Sequence, residues 1–578
     1  MLRNLLVLLA TSAMAMAQNG GAPSHVCVYD GLKYKTLLSA MTDCGKNGFA
    51  VIPPSYAGPD PANAKNPQVW DFRHPESVKG LIPVTDFGVK GDAATGTDGV
   101  SRAGSQEFTT GSSSPFVRGR DESKAIVITG AGPENASLTT TIRTVEAPNR
   151  VTLAIQAGFT GNNLKYWFGT ENTPAFQKAS ASRKALFLPP GMYLMTGTVK
   201  GSFPLFLMGS GDQSTIIDDN SVFDVHGTEG HFLNSFRMQP ATKVVALAPR
   251  SFPTPNPGTP VAVDRHHSGQ GYQPTTGDGD IWTKLSKQQQ SQQIGPTLSL
   301  SSDGIHIYHI TGDTISIILF DTQFSEVAQC DFRAGKNFVG GIALWHTPND
   351  GQSNRTDSIH DNTVRDASYS GIVWAASDGI TIRDNIAEYN GESGLKNYSS
   401  QRDGSFNTHV EVSGNRSQYN HYDGLDFSET YPHSNQKVAS SIASKNTSSF
   451  NDRTGAFVDG RDWKLLNNIF ESNGLTGMSL DVSDSVISGN TLSHNNSLHD
   501  STAHQMLIGP ARPSLNNVIE HNRITGDAAS GAAIKWGGSS TGNQLRDNTA
   551  TGGSVFRLDT PPADSQRNSD SRGDYPHR

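Results

Sequence analysis

The sequence predicts an all-β chain wound as a right-handed, single-stranded parallel β-helix, on three observations. The 578 residues include 59 glycines, with much Asn and Ser and few strong helix formers, a composition of many short strands joined by turns. From about residue 301 a glycine followed by an apolar residue recurs, at Gly341-Ile342, Gly371-Ile372, Gly394-Leu395, Gly424-Leu425, Gly455-Ala456 and Gly477-Met478. The intervals of about 22 to 31 residues are those of a solenoid. An asparagine keeps step, at Asn362, Asn385, Asn415, Asn446, Asn468, Asn490, Asn522 and Asn548. Asparagines at one corner of successive coils stack into a hydrogen-bonded ladder that satisfies turn amides. Leucine-rich repeats of this length need far more leucine, and propeller blades are longer.

The elements follow in order. Residues 1–17, "MLRNLLVLLATSAMAMA", carry one basic residue, a short apolar run and a small-residue exit. That is the layout of a secretory signal peptide, too short to span a bilayer, and it predicts a secreted protein. Residues 18–83 form an N-terminal segment, with an amphipathic helix in "LKYKTLLSAMTDCG" and a strand in "FAVIPPSY". Export permits a Cys27–Cys44 disulfide, which leaves Cys330 as a small buried apolar residue. Residues 84–250 hold the cap and first coils. Within them, about 93–168 alternate as the strands of an inserted β-domain. Residues 251–300, rich in Pro, Gly, Ser and Gln, read as a long loop, 301–558 as coils, and 559–578 as a disordered tail.

A net charge of −8 without a basic stripe argues against nucleic acid as a partner, and no later segment is apolar enough for a membrane. Oligomeric state is not legible.

"DFGVKGD" (86–92), the helix start "TPAFQ" (173–177) and "LFLPPGMYLM" (186–195) together resemble the opening of pectate-lyase-superfamily right-handed β-helix proteins. In that group the aspartate-glycine turn and the helix follow each other closely. Here roughly 70 residues separate them, including the inserted domain. The resemblance implies a β-helix and a polysaccharide partner. It leaves the chemistry open, since lyases, hydrolases, epimerases and tailspikes share this opening.

Strand side chains alternate between faces. If the apolar residue after each glycine points inward, successive coils expose Lys396 and Tyr398, Asp426, then Phe457 and Asp459, then Ser479 and Asp481, with Lys535 near the same face. Trp345, Trp374, Tyr422 and His433 lie close by in sequence, and Arg461 just beyond Asp459. Aromatics beside carboxylates on an extended face suit a sugar chain. On this reading Tyr398, Trp374, Tyr422, His433 and Arg461 bind substrate, and Asp426 is a solvated wall residue whose loss costs little stability.

"DGLDF" (423–427) looks like the stretch that holds calcium in one group of β-helix pectate lyases, and "SGLKNY" has the form of their base-lysine motif. The resemblance implies a calcium ion on Asp423 and Asp426, to which Asp481, in register with Asp459, adds a third candidate ligand; Lys396 is the candidate base of a β-elimination on a uronate by the form of its motif. In those enzymes the lysine motif follows the aspartates, whereas here it precedes them. Arg453, Arg461 and Lys437 compete for the role. The alternative is an inverting glycosidase. Asp426 and Asp459 stand one coil and two residues apart, roughly 8 Å between backbones, inside the roughly 6.5–9.5 Å spacing of that mechanism. An epimerase or a non-catalytic glycan-binding solenoid are the further alternatives. The consecutive aspartates and Gly-His-Gly of β-helix polygalacturonases and the Asp-Pro-His of alginate epimerases are missing, "YPHS" (431–434) being a faint echo.

Overall fold

The computed structural model describes residues 81–241, 297–334, 340–345, 354–398, 407–427 and 440–575 apart from short interior stretches, together with three short strands between His25 and Asp71. One of these, Ala50–Ile52, lies in "FAVIPPSY". The signal peptide, the amphipathic segment, the side chains of Cys27 and Cys44, and most of the 251–300 loop fall outside the described residues. Among the described residues no helix is long and apolar enough to cross a membrane.

The chain divides into two compact units. The first holds the opening motif, the inserted domain and the first coils. A short 3-10 turn over Val84–Phe87 ends on Gly88 at φ 94°, a left-handed position that favours glycine. The helix Thr173–Ala181 follows the insertion. Asn172 joins the two halves of the motif, its side chain accepting from the Lys90 amide at 2.8 Å and donating to the Lys90 carbonyl at 3.0 Å. Asp92 likewise takes the Thr170 amide and hydroxyl at 2.9 and 3.0 Å. These contacts bring the ends of the insertion together, so the motif survives a long excursion.

The inserted domain is a closed six-stranded barrel running from Ala94 to Gly169. Its core packs Phe108, Phe116, Tyr166 and Phe168, with Phe108 and Tyr166 edge-to-face at 5.3 Å. The strands Ala185–Leu188 and Gly191–Leu194 flank Pro189-Pro190 as expected. They pair in parallel with Leu205–Ile217, and that strand pairs in turn with His231–Gln239. Cys330 is buried, and burial pushes its thiol up to about 12.

The second unit is a run of parallel coils. The apolar residues after the repeating glycines stand in register, Ile342 on Ile372, Leu395, Leu425, Ala456 and Met478. All are buried in the lumen. The asparagine ladder is present from Asn362 through Asn548, each side-chain amide donating to the next carboxamide oxygen at 2.9–3.0 Å. A second ladder runs five residues later, from Asn390 through Asn420, Asn451, Asn473 and Asn495 to Gln505, at 2.8–3.0 Å.

The expected tail from 559 instead carries strands Asp564–Gln566 and Asn568–Asp570. The cause is Asn568, whose carboxamide receives the Asn548 amide at 3.0 Å and extends the ladder by one coil. A composition that looks disordered is sufficient where a preceding coil supplies the template.

Candidate functional site

The site lies on one sheet face of the second unit, built by Ile342–Trp345, Ile372–Ala375, Leu395–Tyr398, Leu425–Phe427, Ala456–Arg461 and Met478–Ser483. Lys396 pairs in register with Asp426, Asp426 with Phe457, and Asp459 with Asp481. The alignment read from the glycines therefore holds. The expected solvation does not. Asp426 is only 1% exposed, and Asp459, Ser479 and Asp481 are also buried. Near Lys396, the outer side of the face is apolar: Ile318, Ala343 and Val373 form a buried cluster against Phe320, Trp345 and Tyr398.

At the centre is a charged nest. The Lys396 ammonium lies 2.5 Å from Glu392 Oε1 and 3.2 Å from Asp426 Oδ2. It also sits 5.0 Å from the centre of the Tyr398 ring, which meets Trp345 edge-on at 5.6 Å. Burial alone would depress the lysine, but the Asp426 and Glu392 carboxylates outweigh it and hold its pKa well above the ordinary value. Both carboxylates favour the charged form of Lys396, whereas the expected base would have to be neutral.

The turns that lead into these strands stack as well. The Glu392 amide donates to the Tyr369 carbonyl at 3.1 Å, Tyr422 to Glu392 at 3.0 Å, and Arg453 to Tyr422 at 3.1 Å. Tyr369, Glu392, Tyr422 and Arg453 thus form a row along the solenoid axis, beside Lys396. The Arg453 guanidinium lies 4.3 Å from the centre of the Tyr422 ring. Burial raises the pKa values of the Tyr369, Tyr398 and Tyr422 hydroxyls, and in each case Glu392 adds to the effect. All three phenols stay protonated and able to donate.

Two expected members, Trp374 and Arg461, are elsewhere. Trp374 is fully buried in the lumen, 5.6 Å from Phe427, which stacks on Trp463 at 5.4 Å. Alternation sends Val373 outward, so its neighbour Trp374 must point in. Arg461, at the far end of its strand, pairs at the surface with Asp484 at 2.9 Å. His433 and Lys437 lie outside the described residues.

The calcium expectation can be tested on its donors. Asp423 Oδ1 accepts the Thr454 amide at 2.9 Å, one coil on. Asp426 faces an ammonium. Asp481 is two coils beyond Asp426 and two residues further along the strand, roughly 12 Å between backbones, whereas calcium ligands converge at about 2.3–2.6 Å. Among the described residues no group of acidic, His or Cys side chains assembles a metal site. These three aspartates do not fit a shared calcium ion.

Glu392, Tyr369 and the stacked row went unread in the sequence, apart from Tyr422 and Arg453. The signal was there: each stands two residues before a repeating glycine, in Tyr369-Ser370-Gly371, Glu392-Ser393-Gly394, Tyr422-Asp423-Gly424 and Arg453-Thr454-Gly455.

No curated protein matches the chain by sequence. Among solved structures it is similar to the A-module of the Azotobacter vinelandii mannuronan C-5 epimerase AlgE6, at 14% identity, covering 70% of this chain and 96% of that one, with a TM-score of 0.44. It is similar to the tailspike receptor-binding domain of siphovirus 9NA, at 15% identity, covering 70% and 76%, with a TM-score of 0.46. The Agl-KA catalytic domain is similar at 13% identity, covering 82% and 90%, with a TM-score of 0.40. Residues 353–550, within the parallel coils of the second unit, match the family model described as a right handed beta helix region.

Proposed function

We propose that the chain is a secreted carbohydrate-active enzyme that cleaves a polysaccharide by hydrolysis on the face centred on Lys396. The observation that carries this reading is the nest itself: the partly exposed Glu392 carboxylate held on the buried Lys396–Asp426 pair, beside a row of phenols, on a face extended along the coil axis. Phenols and carboxylates are the donors and acceptors that sugar hydroxyls need, and glycoside hydrolysis is carboxylate chemistry.

The same observation weighs against the β-elimination that the family resemblance implies. Elimination needs a base able to take the proton next to the uronate carboxylate. Lys396 is paired with Glu392 and Asp426, Arg453 is stacked on Tyr422, and Arg461 is paired with Asp484. The spacing of Glu392 and Asp426 differs from that expected of Asp426 and Asp459. Two oxygens at 2.5 and 3.2 Å from one nitrogen are closer together than the roughly 6.5–9.5 Å of inverting pairs.

The test is a panel of neutral and acidic polysaccharides, each with and without chelator, read for new reducing ends and for unsaturated-uronate absorbance. New reducing ends without that absorbance, unaffected by chelation, are the expected result. Chelator-sensitive release of the chromophore would restore the lyase, and binding without cleavage would leave a glycan-binding solenoid.

A further inference from the structure

We infer that Glu392 is the carboxylate of this nest that touches the glycan, and that Lys396 and Asp426 are the residues that position it. The inference rests on the hydrolase reading above and assigns roles within it.

Glu392 and Asp426 share one cation, so charge does not distinguish them. Access does. The Asp426 side chain is 1% exposed, whereas that of Glu392 is 21% exposed. Asp426 sits on the strand under the face, and Glu392 stands on the turn that leads into it. A group that meets substrate must be reachable, and of the two only Glu392 is.

Glu392 is also held from both ends. Oε1 meets the Lys396 ammonium at 2.5 Å, and Oε2 accepts the Ser370 hydroxyl at 3.0 Å. Each oxygen keeps lone-pair capacity for a further donor. Lys396 is itself anchored from below by Asp426, so the chain of support runs from Asp426 through Lys396 to Glu392. A reactive carboxylate held by packed and paired neighbours is the arrangement that precise positioning requires. Tyr369 and Tyr422 flank Glu392 in the stacked row and Tyr398 lies beside Lys396, so the reachable carboxylate is surrounded by hydroxyls suited to a sugar.

The experiment compares Glu392→Gln, Asp426→Asn, Lys396→Met and Lys396→Arg on whichever polysaccharide the wild type cleaves, with the denaturant midpoint measured for each. E392Q should lower kcat at least ~100-fold, the scale of a lost acid–base group, with KM changed less than ~3-fold. D426N should retain more kcat than E392Q. K396M should lose activity that K396R largely restores, as a positioning role requires. Should E392Q fold poorly, Glu392→Asp keeps the charge and withdraws the carboxylate by one methylene, and the same loss in kcat at unchanged KM is expected. E392Q or E392D turning over at the wild-type rate, or D426N inactive while E392Q is active, would overturn the assignment. A wild type that cleaves no glycan would instead overturn the hydrolase reading beneath it.

Discussion

Asp426 shows how burial changes what a residue does. As a solvated wall residue it would be dispensable to the fold. In the structure it is the buried counter-charge of Lys396. Breaking a buried ion pair by removing one partner costs about 3–5 kcal/mol, because the remaining charge is left in a poorly solvated site. Lys396 keeps Glu392, so Asp426→Ala should destabilise by about 2–3 kcal/mol in a denaturant titration. A midpoint unchanged from wild type would return Asp426 to the solvated class.

His231 makes a second residue-scale test. Its Nδ1 accepts the Leu205 amide at 3.1 Å, and burial lowers its pKa to about 4 from the ordinary 6.5. Because the folded pKa lies below the unfolded one, its contribution is complete above pH 6.5 and is lost as the pH falls towards 4. A lowering of that size is linked to a stability contribution on the order of 3 kcal/mol. His231→Asn should remove that part of the acid sensitivity. Identical pH dependence of unfolding in variant and wild type would contradict it.

At the scale of elements, the coils are held by side chains that repeat. Asn446 Oδ1 receives both the Asn415 amide and its carboxamide at 3.0 and 2.9 Å, while Asn446 Nδ2 donates to the Val412 carbonyl and to Asn468. Asn446→Ala strips the buried Asn415 amide of its acceptor and interrupts the ladder in mid-run. Each unsatisfied buried group costs about 1–3 kcal/mol, so a loss of about 3 kcal/mol is expected from equilibrium unfolding. A loss under about 1 kcal/mol would mean that the ladder decorates the coils without holding them.

This element was legible because its period is written in the sequence. The glycines and asparagines gave the register that later placed Lys396 on Asp426 and Asp459 on Asp481. The second ladder, five residues behind the first, carried an equally readable period and went unread. Side-chain direction was legible only where alternation was applied strictly. Trp374 follows Val373, and strict alternation would have sent it into the lumen. Burial was not legible. Nothing in the order of residues shows that the outer side of this face carries the apolar cluster of Ile318, Ala343 and Val373. Without that burial and the Glu392 contact, Lys396 looked like a base.

For the whole molecule, the insertion shows how a solenoid absorbs a domain. The Ala94–Gly169 barrel enters and leaves at one point, where Asp92 meets Thr170 and Asn172 meets Lys90. The parallel coils of the second unit supply something different, a face on which residues distant in sequence become neighbours at the spacing of adjacent strands, about 4.8 Å. Tyr369, Glu392, Tyr422 and Arg453 come from consecutive coils and form one row. A sugar chain laid along that row meets a succession of donors and acceptors, with the fixed Lys396 cation beneath Glu392.

Hydrolysis at this face rather than elimination is tested most directly by the masses of the cleavage products. A defined oligosaccharide of a polysaccharide that the protein degrades is cut once, and its two products are weighed. Hydrolysis predicts that their masses together exceed the parent by one water. Product masses that sum to the parent, with one product unsaturated, would mean elimination and would contradict the account.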